Sequence, residues 1–429
     1  MNVLLVNPPI YDFSAYDFWL KPYGMLQVAG LLRDIAEIKL YDFLDRFHPD
    51  ALPNLKSDEF GRGVFMKTQI DKPDSYSDIK RRYHRFGLPS KNFTNFLSSN
   101  DFFDIALIQT GMTYWYQGVR EAIETIRKVS SETKIVLGGV YATLCYDHAM
   151  SLGPDIIIKG ANLMPLWEHI GITPAEKFSS PYWEGYNTLK SGVMKLSYGC
   201  PFTCTYCAVK QIYKDIVYKP LNIVMNELHF LIRRGVSDIS FYDDALLFNA
   251  NEIFIPFINR VIKENIHIRF HVPNAINARF VDDRIAVLMK QAGFKKIYIG
   301  FESKSILWQK QTGGKVYEDE FLNALKSLVN AGFDRNDLTA YLILGHPLMK
   351  EQEIEDSMKF CHDAGIRIML AEYSPIPGTP DAELTSGTKN MCDPLTHNKT
   401  AAPIRLLGFD KVQHYKNYCK ELNRSLSRR

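Results

Sequence analysis

Lys195–Lys210 reads K-L-S-Y-G-C-P-F-T-C-T-Y-C-A-V-K. An apolar run ends here in a short loop that holds Cys200, Cys204 and Cys207 in the spacing C-x-x-x-C-x-x-C. Such a loop can wrap three thiolates around one corner of a cubane iron–sulfur cluster. A 4Fe-4S cluster normally takes four cysteine ligands, so three local ones leave one iron with an open position. Structural zinc wants four ligands, usually as paired C-x-x-C or Cys/His sets, and no second pair lies nearby in the sequence. A disulfide would leave one cysteine over. Three buried structural cysteines this close, beside Gly199 and Pro201, would be coincidence. The spacing therefore assigns Cys200, Cys204 and Cys207 to a cluster.

With aromatic Tyr206 just before the last cysteine, the stretch resembles the radical S-adenosylmethionine (radical SAM) superfamily. The resemblance implies that the amino and carboxylate groups of S-adenosylmethionine chelate the open iron. It further implies that an electron from the cluster cleaves the sulfonium to a 5'-deoxyadenosyl radical, with Tyr206 among the cofactor-binding residues.

At 429 residues, two domains are the natural expectation. Hydrophobic content of 46% and charged content of 23% suit an ordinary globular chain. A net charge of +3 is too weak to argue for nucleic acid or an acidic membrane surface. The opening Met1–Val6 runs straight into a strand and lacks the basic region and cleavage site of a signal peptide. No apolar run reaches the length of a membrane span. Cys145, Cys361, Cys392 and Cys419 are scattered without a disulfide framework. A reducing cytoplasm is the expected location, since an oxygen-labile cluster needs one.

Working back to the N-terminus, hydrophobic periodicity predicts strands at Asn2–Asn7, Ile38–Phe43, Ile105–Gln109, Lys134–Leu137 and Asp155–Lys159, with helices at Gly24–Arg33 and Gln117–Val129. Strands alternating with helices mean a doubly wound, Rossmann-like parallel sheet. Ligands in such sheets bind outside the carboxyl ends of strands, which here carry Pro8, Thr110 and Gly138-Gly139. The opening V-L-L-V-N-P-P and the later V-L-G-G-V-Y-A-T resemble the cobalamin-binding domain of one large branch of the superfamily. That resemblance covers residues 1–165 and implies cobalamin as a cofactor near Thr110, Gly138 and Gly139. Two departures stand out: the D-x-H-x-x-G motif that supplies a lower cobalt ligand is absent, and G-E-G-E is replaced by Gly160-Ala161-Asn162-Leu163. His48, in D-R-F-H-P-D, reads as a surface or satisfied histidine. Tyr114, Trp115 and Tyr116 follow the third strand and would either stack on a corrin or fill its space. Residues 54–100 read as an insertion with the basic, aromatic run Arg81–Gly87, either a solvated face or a cover over a cleft.

Residues 166–190, with Pro174 and Pro181 and little periodicity, read as a linker packed against both domains. From Val193 the rhythm resumes, with strands near 193–197, 237–242, 267–272, 296–301, 338–344 and 366–371. Helices are expected near 221–234, 250–265, 282–292, 317–331 and 350–364, plus one after the cysteine loop. Residues 191–382 thus suit a partial (β/α)6 TIM-type barrel, whose active groups gather at carboxyl strand ends. Residues 383–429 form a C-terminal extension, with a polar loop at Asp393–Asn398, a helix at Lys411–Leu426 and a frayed end over Ser425–Arg429.

The strand ends carry further resemblances to the superfamily. Asp243-Asp244 in S-F-Y-D-D-A-L-L-F resemble the acidic motif for the methionine amino group, with a helix-start carboxylate as the plainer alternative. Glu302 in I-G-F-E-S resembles the ribose-binding position. Gly345 and His346 in L-I-L-G-H-P resemble the region flanking adenine, Gly345 by letting backbone approach the ring. Ser374–Pro380, S-P-I-P-G-T-P, resembles the sixth-strand loop of the same branch. His271–Asn274 follows the third barrel strand and is expected to face the substrate. The resemblance implies a cobalamin-dependent methyltransferase acting on an unactivated carbon of a small metabolite, lipid or natural product, fed by an electron donor such as flavodoxin or ferredoxin. A cobalamin-independent radical oxidation, cyclisation or rearrangement is the enzymatic alternative. A cobalamin or iron–sulfur sensor is the non-enzymatic one, and it would not need the methionine and ribose contacts.

Overall fold

The computed structural model describes residues 1–385 and 391–427. Two compact units emerge: Met1–Gly192 with Asn226–Val236 and Asn390–Asn398, and Val193–Met225 with Ser237–Lys389 and Lys399–Arg429.

In the first unit, β1 (Asn2–Asn7) is followed by β2 (Ile10–Asp12), β3 (Glu37–Asp42), β4 (Lys67–Ile70), β5 (Tyr83–Phe86), β6 (Ile105–Thr110), β7 (Lys134–Gly139) and β8 (Ile156–Ile158). A five-stranded parallel sheet runs in the order β3-β1-β6-β7-β8. Val3–Val6, Ile105–Ile108 and Ile135–Leu137 are all buried, the continuous apolar runs that a sheet covered on both faces requires. The strand order reverses between β1 and β6, the place where doubly wound sheets open a crevice.

The inserted segment is shorter than 54–100 and is ordered. Ser90–Ser98 is a helix of the winding itself, packed on the helix Tyr116–Val129. The remainder supplies β4 and β5 to an antiparallel sheet with β2, over an apolar cluster of Ile10, Leu44, Phe65 and Phe86. Its basic run is tied down: Arg85 forks onto Glu121 at 2.6 and 2.8 Å. The proline-bearing stretch 166–190 is packed on the first unit. Tyr182 N donates to Leu26 O at 2.8 Å, and the Tyr186 hydroxyl donates to Asp42 Oδ2 at 2.6 Å. Prolines there mark turns in a packed segment.

In the second unit, β9 (Ser191–Met194) leads into the cysteine loop, which is flanked by a small hairpin of β10 (Ser197–Tyr198) and β11 (Val217–Tyr218). The rest of the barrel is β12 (Asp238–Phe241), β13 (Arg269–His271), β14 (Ile297–Glu302), β15 (Leu338–Leu344) and β16 (Arg367–Glu372). Two parallel sheets, β13-β12-β9 and β14-β15-β16, are joined by the bridges Phe270 to Phe294 and Ile276 to Ile299. The outer edges of this partial barrel are β9 and β16. Phe241, Phe270 and Phe294 pack together under the helix Phe254–Lys263, with ring centroids 5.4–5.8 Å apart, in the offset and tilted geometries that rings prefer.

Helices lie at Leu221–Arg233, Phe254–Lys263, Asp283–Gln291, Glu318–Asn330 and Glu351–Asp363, near their expected places. The helix after the cysteine loop shrinks to Val209–Ile212. Ile306–Gln311 is an additional helix, started by the Ser305 side chain accepting from Trp308 N at 3.2 Å. The extension 383–429 is not a separate piece. Its Pro394–His397 turn is buried in the first unit, whereas the helices Ala401–Leu407 and Phe409–Leu426 belong to the second. Ser425 and Leu426 are helical, and the end at Arg428 and Arg429 lies outside the described residues. Among the described residues no helix is long and apolar enough to cross a membrane.

His271 turns away from any substrate role. It is fully buried, and its Nε2 bonds Asp238 Oδ1 at 2.9 Å. Burial alone would raise the Asp238 carboxyl, but hydrogen bonds from His271, Arg269 and Ser237 outweigh it and hold the pKa down to about 2. The sign follows: this contribution is present above the unfolded value near 3.8 and is lost as pH falls through about 2. Asp238→Asn should therefore cost roughly 1–3 kcal/mol near neutral pH, at 1.36 kcal/mol per pKa unit. Urea melts of both proteins should show that gap narrowing between about pH 4 and pH 2. A gap independent of pH would contradict the assignment.

Candidate active site

The carboxyl ends of the barrel strands bring together Cys200, Cys204, Cys207, Glu302 and Lys315. Gly199 opens the cysteine loop at φ +86°, where a Cβ would lie 2.6 Å from Asp215 O, so only glycine fits. Cys207 N donates to Cys204 O at 3.1 Å, closing a tight turn between the last two cysteines. All three thiols are free, Cys200 and Cys204 half-buried and Cys207 exposed. Burial pushes Cys204 up to about 11, against the pull of Lys315, and raises Cys200 and Cys207 as well. Among the described residues no three His, Cys, Asp or Glu side chains share one centre as ligands of a single ion. The thiolates of a cubane sit on three different irons and need no common centre.

Lys315 is the site residue that sequence reasoning missed. Its Nζ lies 2.8 Å from Glu302 Oε1 and beside all three cysteines, where Glu302 and the thiols outweigh burial and keep it charged. Gly313 brings it there: a Cβ on Gly313 would stand 3.1 Å from the Cys204 Cα, so the T-G-G-K segment lies directly against the cysteine loop. Thr205 N donates to Thr312 O at 3.3 Å and completes that contact. Glu302 sits at an irregularity in the β14–β15 pairing with φ +67°. A non-glycine residue there costs about 1–3 kcal/mol, the kind of strain that persists at functional sites.

The acidic pair divides its labour. Asp243 is buried and accepts from Leu196 N, Ser197 N and Ser197 Oγ at 2.6–3.1 Å, so its oxygens pin the end of the first strand. Its carboxyl is pushed up to about 6 by burial, which outweighs those bonds and nearby Lys195. Asp244 stays nearer the cysteines, with Lys195 Nζ and Gly199 N each 3.2 Å from its Oδ2. An ammonium partner therefore suits Asp244 better than Asp243.

Gly345 and His346 are both engaged within the chain. A Cβ at Gly345, φ +82°, would stand 2.5 Å from Pro403 Cβ, so that face of the glycine packs on Pro403. His346 is buried, and both ring nitrogens are engaged. The Tyr206 ring stacks on Trp308 with centroids 5.7 Å apart, and its buried hydroxyl lies against the Cys204 thiol.

In the first unit, the switch point between β1 and β6 holds a cavity of about 60 Å³ lined by Asn7, Pro8, Gln109, Gly111 and Trp115, among others. The Thr110 hydroxyl is not free for a ligand. It donates to Gly138 O at 3.0 Å and accepts from Ala142 N at 3.1 Å. Gly139 packs on it: a Cβ would meet Thr110 O at 2.2 Å. Gly138 and Gly139 remain partly exposed. Tyr114 and Tyr116 are buried in the unit, and Trp115 alone of the three lines the cavity. His48 Nδ1 accepts from Asp50 N at 3.1 Å, as a satisfied histidine does.

Residues 194–361 match the family model of the Radical SAM superfamily. The chain carries a radical SAM domain. Over 398 residues it is 23% identical to an uncharacterised methyltransferase of Pyrococcus horikoshii, covering 88% of this chain and 82% of that protein. Its fold is similar to that of the radical S-adenosylmethionine methyltransferase TsrM from Kitasatospora setae, with a TM-score of 0.66, 14% identity, and 91% and 77% of the two chains covered. The cobalamin-dependent S-adenosylmethionine radical enzyme OxsB gives a TM-score of 0.60 at 13% identity, over 98% of this chain and 61% of that one.

Proposed function

We propose that this chain is a cobalamin-dependent radical SAM methyltransferase acting on an unactivated carbon of a small metabolite, lipid or natural product. The observation that carries the reading is the set of three free cysteines on one loop, with Lys315 and Glu302 beside them at the carboxyl ends of a parallel barrel. Soft thiolate donors suit an iron–sulfur cluster, and a lysine among them offsets their charge. Cys200, Cys204 and Cys207 hold the cluster. Asp244 and Glu302 receive the ammonium and ribose of S-adenosylmethionine as charged acceptors, and Tyr206 lines their approach. The partly exposed Gly138-Gly139 backbone and Trp115 lie at the carboxyl edge of the first sheet, where this reading places the macrocycle. When bound, the cluster and S-adenosylmethionine supply a 5'-deoxyadenosyl radical and cobalamin supplies a methyl group; the protein contributes position and shielding.

The likeness in fold to TsrM and OxsB, and the methyltransferase name of the relative from Pyrococcus horikoshii, support this reading over a cobalamin-independent one. TsrM has been solved with cobalamin and a 4Fe-4S cluster bound. An electron donor of the flavodoxin or ferredoxin kind and a reducing cytoplasm complete the proposal. Anaerobically reconstituted protein given a strong reductant and S-adenosylmethionine should release 5'-deoxyadenosine slowly even without substrate. Intact S-adenosylmethionine after prolonged incubation with a fully reduced cluster would contradict it.

A further inference from the structure

We infer that His346 and Asp381 are positioning residues that lock the turn between Cys204 and Cys207, through a relay that also ties the two edge strands of the partial barrel together at its carboxyl end. The inference rests on the proposal that those cysteines hold a cluster.

The relay starts at Trp308, whose indole Nε1 donates to His346 Nδ1 at 3.1 Å. Leu348 N donates to the same nitrogen at 3.2 Å. Two N–H donors make Nδ1 an acceptor, so the ring proton sits on Nε2. That nitrogen lies 2.9 Å from Asp381 Oδ2 and donates to it. The same oxygen accepts from Thr205 Oγ1 at 2.6 Å, and Asp381 N returns a bond to Thr205 O at 3.3 Å. Thr205 is the residue after Cys204, and the next residue, Tyr206, stacks on Trp308, where the relay begins. The two residues between the second and third cysteines are thus held from one closed network.

The topology gives the network its purpose. The cysteine loop follows β9 and Asp381 follows β16, the two unpaired edges of the barrel sheets. No backbone ladder joins those edges among the described residues. Asp381 and Thr205 make that connection at the carboxyl end, and Gln211 Nε2 adds a bond to Pro377 O at 3.3 Å. A buried carboxylate with two charge-assisted partners is a strong, directional tie. Outer contacts of this kind fix the orientation of metal-binding side chains, and their loss costs affinity.

Thr205→Val tests this, because it removes the hydroxyl, keeps the side-chain shape and leaves both backbone bonds of residue 205 in place. Full-length wild type, Thr205→Val and Thr205→Ser are reconstituted anaerobically, and iron release to a ferrous chelator is followed by absorbance. The reduced cluster is examined by electron paramagnetic resonance, and metal-free protein by circular dichroism. Thr205→Val should lose iron about tenfold or more faster than wild type, with an altered cluster spectrum, while its metal-free dichroism matches. Thr205→Ser should restore the wild-type rate and spectrum. A wild-type release rate and spectrum in Thr205→Val, or failure of Thr205→Ser to rescue, overturns the inference. Wild-type protein that takes up no iron and sulfide overturns the cluster proposal itself, a distinguishable result.

Discussion

Replacing Cys200, Cys204 and Cys207 with alanine should abolish the iron content and brown colour of the reconstituted protein and leave its fold intact. The first half follows from chemistry. Thiolates are the ligands that an iron–sulfur cluster requires, and these three lie on one tight loop with a lysine beside them. The second half follows from packing. None of the three is among the buried residues, and Cys207 is exposed, so truncating them opens no core cavity of the kind that costs several kcal/mol. Metal-free thiols are protonated near neutral pH, Cys204 the more so because partial burial pushes it up to about 11. Metal loading therefore releases protons and weakens as pH falls. Iron, sulfide and absorbance measurements check this alongside circular dichroism. A triple variant that retains iron, or one that unfolds, contradicts the account.

Glu302→Gly separates function from stability. Glu302 occupies the left-handed region at φ +67°, where a side chain costs about 1–2 kcal/mol that glycine avoids. Its carboxylate is mostly buried against Lys315, whose side chain is 25% exposed and can rehydrate when the partner is lost. The ion pair is thus only partly sheltered, and its loss offsets the relief of strain. Thermal stability should stay within about 1 kcal/mol of wild type. Affinity of the cluster-loaded protein for S-adenosylmethionine should fall about tenfold or more, at 1.4 kcal/mol per decade. Equilibrium dialysis against the cofactor and a melting curve read the two quantities separately. Unchanged affinity would remove Glu302 from the site. A large drop in stability would show that its role is structural.

The contrast between Glu302 and Asp243 shows what a sequence can and cannot yield. Periodicity located the strands of the five-stranded parallel sheet and of the barrel but not the antiparallel β2-β5-β4, because buried parallel strands are short apolar runs bounded by turn residues. The cysteine spacing marked the cluster loop, because the chemistry itself is local. Contacts set by distant residues were not legible. Asp243 and Asp244 are adjacent in D-D, yet one pins Leu196 and Ser197 and the other pairs with Lys195. His346 looked like a cavity group until Trp308 and Asp381 occupied both its nitrogens. Lys315 sits in a loop without periodicity, and only the close approach of Gly313 to Cys204 puts it at the site. Asp393–Asn398 read as a polar loop, yet His397 Nδ1 lies 3.0 Å from Thr113 Oγ1 and Asn398 Nδ2 lies 3.0 Å from Asp12 Oδ1. Pairings across hundreds of residues leave no local pattern to read.

Elemental analysis of one preparation tests the central claim most directly. The full chain is reconstituted anaerobically with iron, sulfide and hydroxocobalamin, then desalted. The account predicts about four iron and about one cobalt per chain, in a 4Fe-4S cluster and one cobalamin, and, after one-electron chemical reduction to cob(II)alamin, a cobalt spin-resonance spectrum that lacks a protein nitrogen ligand. Iron without cobalt would remove cobalamin from the mechanism, and zinc in place of iron would contradict the account at its root.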